Sequence, residues 1–394
     1  MKTLWGILLA AGLMPAGLTV SAQTWTQTSA PTNTTWNSTA CSANGKYIIA
    51  SGGFPFTVST STNSGATWMT NNPPWTGGTW VSASAEGRFV AAVTFNSIYI
   101  STNFGSSWIP TGAPTNLWRT VASSADGNEL VAAVGSGGNN LAGNIYISTN
   151  AGLTWAATSA PTNDWNHLSV SANGNKLAAA PWAGMIFIST NAGATWDTNN
   201  NSPSLNWTSI ASSANGDELA AVAFNNNAVF VSANYGLTWS SNNLAPKLQS
   251  VALSADSSRL VVLAQLTNVI FLSTNHGTTW INNDVPKENW YSAAISADGG
   301  QLFAAGVNPA GPGGVIFSSS PAPNLGLNIK VLPNCLTLCW NVPSLDLVLT
   351  KNQNLNFTNW LNVTNTPTLN FTNLQNQASI PLPVENYFFK LKVP

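Results

Sequence analysis

The chain has 394 residues, of which 44% are hydrophobic and only 6% are charged, and its formal net charge is −1. Soluble domains typically carry about 25% charged residues, so Asn, Thr, Ser and Gly must supply the polar surface of this one. The length suits one large domain with a small domain beside it. Because the charge balance provides no basic surface, the composition argues against nucleic acid as a partner.

The first 22 residues have the pattern of an export signal. Lys2 supplies a positive charge, residues 4–20 form an apolar run, and Val20-Ser21-Ala22 offers small residues for cleavage before Gln23. A membrane anchor is the alternative, but it needs about 20 apolar residues, and Met14-Pro15 interrupts this run. We therefore predict a secreted, cell-surface or periplasmic protein with no membrane span after the signal is cleaved.

The three cysteines predict neither a disulfide nor a metal site. Cys335 and Cys339 are four residues apart in a strand-like run, which places their Cα atoms about 13 Å apart in an extended strand. A disulfide tolerates at most about 7 Å between Cα atoms. Three scattered cysteines, including Cys41, do not make a zinc site either, and no cofactor motif is present. We expect buried thiols and no cofactor.

Two short phrases recur along the chain at intervals of roughly 40 residues, the period of a four-stranded propeller blade. The first is Ser-x-Asn-x-Gly-x-(Thr/Ser)-Trp, and its six copies begin at Ser61, Ser101, Ser148, Ser189, Ser232 and Ser273. The second is Ser-Ala followed by a turn and an apolar run, and its seven copies begin at Ser42, Ser84, Ser124, Ser171, Ser213, Ser254 and Ser296. Seven copies predict an all-β propeller of seven blades.

Each copy is divisible into four strands, A to D. Strand A starts near a tryptophan, and small residues such as Ser209 and Ala211 alternate along it, which suits the crowded innermost strand around a channel. Strand B is continuously apolar, as in Leu130–Val134, and strand C is a run such as Ile145–Ser148. The periodic tryptophans, Trp80 among them, are therefore assigned to the fold.

The first phrase resembles the Asp-box, or BNR, repeat of sialidase-like propellers, Ser-x-Asp-x-Gly-x-Thr-Trp. All six copies here have asparagine at the aspartate position, and asparagine can form the same local bonds to the backbone. The resemblance covers residues 23–320 and implies that the boxes are structural and lie away from the ligand face. The structural asparagines are Asn63, Asn103, Asn150, Asn191, Asn234 and Asn275.

The two ends of the repeat predict how the ring closes. The seventh copy ends near Ser320 without its hairpin, whereas Thr24–Asn33 closely matches Thr154–Asn163, a strand D and its exit. We predict that the N-terminal strand completes the last blade and so removes two exposed strand edges. The domains are then a signal peptide (1–22), the propeller (23–320) and a small β domain (321–394), which weakly resembles a fibronectin type III sandwich.

Few ionisable groups are available for catalysis. Within residues 23–320, most charged residues fall in the A–B turns, at the same end as the Asp-box hairpins. Sialidases hold the substrate carboxylate with three arginines, whereas this chain has only three in total and two of them, Arg88 and Arg259, lie in those turns. Glycosidase chemistry would need a carboxylate pair about 5–9.5 Å apart. The carboxylates at the ligand end, Asp164, Asp284 and Glu288, come from opposite sides of the ring.

The candidates for ligand binding are aromatic, amide and polar residues at the end of the ring opposite the hairpins. His167 replaces the serine or threonine of other copies and is expected to face the channel, with a tolerated polar substitution as the alternative. Trp75 stands outside the repeat register, and Trp182 lies in a B–C loop. Rings beside amides suit a sugar or another neutral surface. The candidates are Trp75, Phe95, Arg119, Asp164, His167, Trp182 and Asn225.

Three functions are compatible with these residues. We predict an exported, non-catalytic binding or scaffolding propeller for a glycan or a protein partner, monomeric and without a metal. The first alternative is a glycoside hydrolase-like enzyme that uses carboxylates of the ligand face. The second is an assembly factor resembling the photosystem II stability-factor propellers, although a charged docking patch is not evident in this sequence.

Overall fold

The structure is a computed structural model, and the regular secondary structure of its described residues is all β-strand, which confirms the all-β prediction. The predicted signal, residues 1–22, lies outside the described residues. No helix long and apolar enough to cross a membrane occurs within the described ranges. These ranges are 23–320, with gaps at 54–55, 78–79, 140, 310 and 312, and then 327–332, 335–341, 348–352, 361–364, 367–372, 374–381 and 388–392.

The first five copies of the repeat each form a four-stranded antiparallel sheet, with the strands in chain order from the innermost to the outermost. A short strand, β1 (Thr26–Gln27), precedes them. The strands of the five sheets are β2 (Trp36–Cys41), β3 (Ile48–Gly52), β4 (Val58–Ser61) and β5 (Met69–Asn71); β6 (Trp80–Ala83), β7 (Val90–Val93), β8 (Ile98–Ser101) and β9 (Ile109–Pro110); β10 (Trp118–Ser123), β11 (Leu130–Val134), β12 (Ile145–Ser148) and β13 (Ala156–Ala157); β14 (Trp165–Val170), β15 (Leu177–Pro181), β16 (Phe187–Ser189) and β17 (Asp197–Thr198); β18 (Trp207–Ser212), β19 (Leu219–Ala223), β20 (Ala228–Ser232) and β21 (Ser240–Asn243).

The sixth and seventh copies share one sheet of six strands, in the order β1-β26-β25-β24-β23-β22. The first part of β23 pairs with β22, its second part pairs with the start of β24, and the end of β24 pairs with β25. Thus β23 holds strands B and C of the sixth copy, and β24 joins its strand D to strand A of the seventh. The new strands are β22 (Leu248–Leu253), β23 (Leu260–Ser273), β24 (Ile281–Ile295), β25 (Leu302–Val307) and β26 (Gly314–Ser319).

The N-terminal strand closes the seventh copy, as the sequence predicts. Thr26 of β1 pairs with Ser318 of β26, and Gln27 pairs with Phe317. Just before β1, the ring of Trp25 is buried in the same core cluster as Phe317 and other apolar side chains of the shared sheet. The ring is therefore closed by one strand from each end of the propeller.

Seven inner strands surround a central channel: β2, β6, β10, β14, β18, β22 and the end of β24, each in contact with the next, with β24 in contact with β2. The alanine of every Ser-Ala phrase links these strands at one level. Its backbone N–H donates to the carbonyl of the next alanine at 2.7–2.9 Å, and the last N–H of the series returns to the first carbonyl. We call this closed circle the alanine ring; its members are Ala43, Ala85, Ala125, Ala172, Ala214, Ala255 and Ala297.

The six complete hairpins between strands C and D have one repeated geometry. In the first, the N–H of Gly65 donates to Ser61 Oγ at 2.9 Å and that of Thr67 donates to Asn63 Oδ1 at 2.8 Å. The Asn63 amide donates in turn to Thr67 Oγ1 at 2.8 Å. Ser64 takes a positive φ of 56° between them. Each asparagine is thus used within its own turn.

The C-terminal region folds into two small sheets around a core that contains Leu338, Trp340, Leu349 and Phe389. One sheet has the order β27-β28-β32-β31 and the other β30-β29-β33. Cys335 and Cys339 are free thiols, as is Cys41. The fibronectin type III resemblance stays a prediction. The strands are β27 (Leu327–Val331), β28 (Cys335–Asn341), β29 (Val348–Asn352), β30 (Leu361–Asn362), β31 (Thr368–Asn370), β32 (Gln375–Pro381) and β33 (Phe388–Lys392).

Trp25→Ala is expected to destabilise the whole propeller, because removing a buried tryptophan costs about 3–5 kcal/mol and here also loosens the strand that closes the ring. Thermal unfolding of Trp25→Ala and of a chain lacking residues 23–29 measures the effect. The control is Thr26→Ala, whose side chain is exposed on β1. An unchanged melting temperature after removal of residues 23–29 would show that the ring closes without this strand.

Candidate binding site at the channel mouth

The channel widens into a cavity of about 310 Å³ at the end opposite the hairpins. The beginnings of the seven inner strands converge there, because each strand A starts at this end and runs toward its A–B turn. We call this opening the mouth. Two of the predicted candidates, Arg119 and His167, lie in its wall. The lining residues are Asn37, Ser38, Trp80, Arg119, Asn166, His167, Thr208, Ser209, Gln249, Ser250, Tyr291 and Ser292.

Trp80 faces this cavity, which corrects its assignment to the fold. In the first sheet Ser38 pairs with Ser51 and Ala40 with Ile49; in the second, Trp80 pairs with Val93 at the register that corresponds to Ser38. The position of Trp80 in the sequence already indicates that its side chain faces the channel. Trp80 stands four residues before the serine of its Ser-Ala phrase, whereas the strand-A tryptophans of the other copies stand six before it.

Trp75 takes the core position that Trp80 leaves, so the prediction that it faces a ligand is wrong. Its side chain is only 7% exposed. Its ring lies 4.6 Å from that of Tyr99 and 5.0 Å, edge-on, from that of Trp108. In the third copy Trp118 contacts the equivalent pair, a strand-C tyrosine and a hairpin tryptophan. Trp75 therefore fills the core between the first and second blades.

Arg119 is the one cationic side chain in the described lining of the mouth. Its guanidinium lies 4.5 Å from the ring centre of Trp80, within range of a cation–π interaction. Its Nε donates to Asn166 Oδ1 at 2.9 Å, and the Asn166 amide donates to the carbonyl of Trp207 at 2.7 Å. Burial lowers the pKa of Arg119, and the nearby Asp164 opposes this shift. The group is held in place through Nε, which leaves its two terminal amino groups for a ligand.

Asp164 is engaged within the protein. Its carboxylate accepts hydrogen bonds from the N–H groups of Ser136 (2.6 Å), Gly137 (3.2 Å) and Gly138 (2.9 Å), and from Ser136 Oγ (3.1 Å). This glycine loop packs closely, since a Cβ on Gly137 would lie 2.9 Å from the Arg119 guanidinium and one on Gly138 2.8 Å from the Trp182 ring. Asp164 therefore shapes the loop between Arg119 and Trp182 rather than facing a ligand.

Apolar side chains stand around the mouth on the B–C loops and the links between copies. Trp182 lies against Phe224, with ring centres 6.2 Å apart, and exposed Asn225 follows it. Phe95 is 48% exposed, and two residues not singled out from the sequence, Leu117 and Leu266, are 45% and 43% exposed. We call these apolar side chains the mouth rim: Phe95, Leu117, Trp182, Phe224 and Leu266.

His167 takes over the structural role of a serine. At four junctions between blades, a serine Oγ in this position accepts the backbone N–H of the next inner strand, as Ser209 does from Val251 at 3.3 Å and Ser250 from Ala293 at 3.1 Å. At its own junction His167 accepts the N–H of Ile210 on Nδ1 at 3.4 Å. Burial lowers the pKa of His167 to about 4, which matches a ring nitrogen that must stay unprotonated to accept.

The other carboxylates of this end do not line the cavity. Glu288 is 5% exposed, burial raises its pKa, and its Oε2 has no hydrogen-bond partner within the described residues. Asp284 lies exposed on the same strand, β24. Among the described residues no group of three or more His, Cys, Asp or Glu side chains is placed to hold a metal ion.

No family model and no curated protein matches this chain. Among solved structures it is similar to YCF48 bound to D1 peptide, with a TM-score of 0.58 and 17% identity over 77% of this chain and 99% of that one. It is also similar to YCF48 from Cyanidioschyzon merolae, with a TM-score of 0.56 and 15% identity over 76% of this chain and 99% of that one. At these identities the likeness establishes the propeller fold.

The exchanged roles of the two tryptophans predict a contrast in stability. Trp75→Ala is expected to cost about 3–5 kcal/mol of unfolding free energy, as for other buried tryptophans. Trp80→Ala should cost clearly less, because its ring faces the cavity. Urea unfolding of the two variants measures this directly. Equal losses would mean that Trp80 belongs to the core after all.

The neutral His167 predicts an acid-sensitive fold. As pH falls from the usual histidine pKa of about 6.5 to about 4, the His167 imidazole becomes protonated in the unfolded chain but stays neutral in the folded chain. The free energy of unfolding therefore declines over this interval. His167→Ser is expected to remove that part of the slope while keeping the hydrogen bond to Ile210. Melting temperatures across this pH range test it. His276→Ser is the control, since that side chain is 54% exposed.

Proposed function

We propose that this chain is an exported, non-catalytic propeller whose mouth binds an extended segment of a protein partner. The observation that supports this most is the arrangement around Arg119, a fixed guanidinium with free terminal amino groups, stacked on Trp80 and surrounded by the apolar mouth rim. Aromatic and arginine side chains in partly desolvated positions are the groups that contribute most to protein interfaces.

The chemistry of the lining indicates what the segment carries. Among the described lining residues Arg119 alone has a formal charge at neutral pH, and the others offer hydroxyls, amides, an imidazole, an indole and a phenol. A guanidinium pairs with a carboxylate through two parallel hydrogen bonds. We therefore expect a segment with an acidic group for Arg119 and apolar side chains for Trp182 and the rest of the mouth rim.

The comparisons favour a protein over a glycan. YCF48, which shares the fold, is seen with D1 peptide bound, so a propeller of this architecture can accept a peptide. For this chain a peptide partner is a proposal. The same proposal includes two expectations from the sequence. The hairpins resemble Asp-boxes, which would give the binding module a stable scaffold. Residues 1–22 would act as its export signal.

Catalysis is disfavoured by where the carboxylates lie. Asp164 accepts four hydrogen bonds from the loop that it shapes, and Glu288 is buried on the long strand β24. Glycoside hydrolysis needs two carboxyl groups that face one bond about 5–9.5 Å apart. The cavity wall contains no Asp or Glu among its described lining residues.

The test is selection of a displayed random-peptide library on the processed chain, residues 23–394, with soluble polysaccharides in native gels in parallel. We expect enriched peptides that contain an acidic residue beside apolar ones. Arg119→Gln should weaken their binding at least tenfold, about 1.4 kcal/mol, as should Trp80→Ala. Arg88→Gln is the matched control, since Arg88 is exposed at the hairpin end.

Other results would contradict the proposal in different ways. Peptides that bind Arg119→Gln as tightly as the unmodified chain would move the site away from the mouth. Retardation by a polysaccharide without peptide enrichment would replace the protein partner with a glycan. Release of sugar from a polysaccharide would make the chain an enzyme and direct attention back to its carboxylates.

A further inference from the structure

The channel has a second opening, at the hairpin end, and a side chain of the C-terminal domain occupies it. A smaller cavity of about 150 Å³ lies there, lined by the ends of the inner strands, by members of the alanine ring, by Cys41 and by Leu374. Leu374 also packs against alanines from both halves of the ring. Of the described residues that line this cavity, Leu374 is the one that lies outside the propeller. We call this cavity the floor.

The alanine ring surrounds the cavity that Leu374 lines. Because each blade contributes an alanine at this level, the seven strands can approach closely enough for their backbone hydrogen bonds, and a central cavity remains that is lined by alanines, serines and aliphatic side chains. Five of the seven alanines are no more than 7% exposed. The apolar part of this lining is covered more favourably by the Leu374 side chain than by water.

The turn that carries Leu374 is held in an unusual conformation. Leu374 has a φ of 53°, in the left-handed region that bulky side chains rarely adopt. Such strain persists where the surroundings over-determine the conformation. Asn370 organises the start of the turn, since its Oδ1 accepts both the N–H and the hydroxyl of Thr372, at 2.8 and 2.6 Å. Phe371 and Leu369 contact the rim of the same ring.

We propose that the C-terminal domain is a plug that seals the channel, with Leu374 as the residue that enters the alanine ring. The channel is then closed at the hairpin end, so solutes enter and leave the mouth from one side only. The two YCF48 structures are matched over 99% of their length by 77% and 76% of this chain. About a quarter of this chain therefore has no counterpart in them.

Cys41 reports on the seal, because it lines the same cavity as Leu374. Burial raises the pKa of its thiol to about 12, so in the sealed protein it should react slowly with a maleimide, which needs the thiolate. The experiment uses the full chain with Cys335→Ser and Cys339→Ser, which leaves Cys41 as the one thiol of the three. Labelling by N-ethylmaleimide is followed by mass spectrometry under native conditions.

Leu374→Gly removes the side chain and accepts the positive φ without strain, so the turn should keep its shape. We expect it to raise the labelling rate of Cys41 at least tenfold, with the melting temperature within a few degrees of the parent. Leu374→Met should retain slow labelling, since it keeps an apolar side chain of similar volume. Leu361→Ala is the control, because Leu361 is 65% exposed elsewhere in the same domain.

Two results would overturn the plug. The first is rapid labelling of Cys41 in the parent chain, or equal rates in the parent and Leu374→Gly, because either would mean that Leu374 does not control access to the floor. The second is faster labelling that rises in step with a large fall in melting temperature, because Leu374 would then stabilise the whole fold instead of closing one opening. Amide exchange of the inner strands distinguishes local opening from global loosening.

Discussion

The structure depends on the circle of backbone hydrogen bonds that joins Ala43, Ala85 and the five equivalent alanines. The buried cores lie between neighbouring blades, as where Val222 packs in one cluster with Leu260, because a four-stranded sheet leaves two faces and two edges to be covered. The faces are covered by the neighbouring blades, and the alanine ring fixes how close those neighbours come. A side chain larger than alanine at this level would push the inner strands apart and break the circle. The alanine of the Ser-Ala phrase is therefore as much a structural requirement as the turn that follows it.

Closure of the ring also creates both openings of the channel. At the mouth the inner strands begin, and their first channel-facing positions carry the residues that differ most between copies: Trp80, Thr120 and His167 where other copies have serine. At the floor the same strands end in the alanines, which hardly differ. The repeat thus holds one end constant and leaves the other free to vary. Variation is tolerated at the mouth because the backbone bonds at the floor already hold the ring.

Much of this could be predicted from the sequence, because the repeat fixes it locally. The period, the Ser-Ala turns, the asparagine hairpins and the match between the N-terminal strand and later strands D all follow from residues close together in the chain. The sequence analysis assigned Trp80 to the core and Trp75 to the ligand end because it matched the strand-A tryptophans by residue type and not by their distance from the Ser-Ala phrase. Counting back from Ser84 gives the correct register, since the distance to that serine fixes which side chain faces the channel.

Other features depended on tertiary contacts that no local pattern contains. The four hydrogen bonds of Asp164 come from a loop some 26–28 residues away, so an aspartate at the ligand end could not be distinguished from a ligand residue. Leu374 lies in an ordinary turn of a separate domain, and only the assembled ring shows what it fills. Sequence patterns indicate what a segment does within its own blade. These residues instead make contacts between segments that are far apart in the chain.

The asparagine hairpins and the seal at the floor belong to one electrostatic arrangement. An aspartate in each of the six hairpins would place six negative charges around the end where the C-terminal domain docks, and taking charged groups out of water is costly. Asparagine keeps the hydrogen bond that the turn needs, as between Asn63 Oδ1 and the N–H of Thr67, and adds no charge. The six hairpins thereby add no charge to an end that already carries the charged residues of the A–B turns, and their turns are held by amide and hydroxyl hydrogen bonds alone.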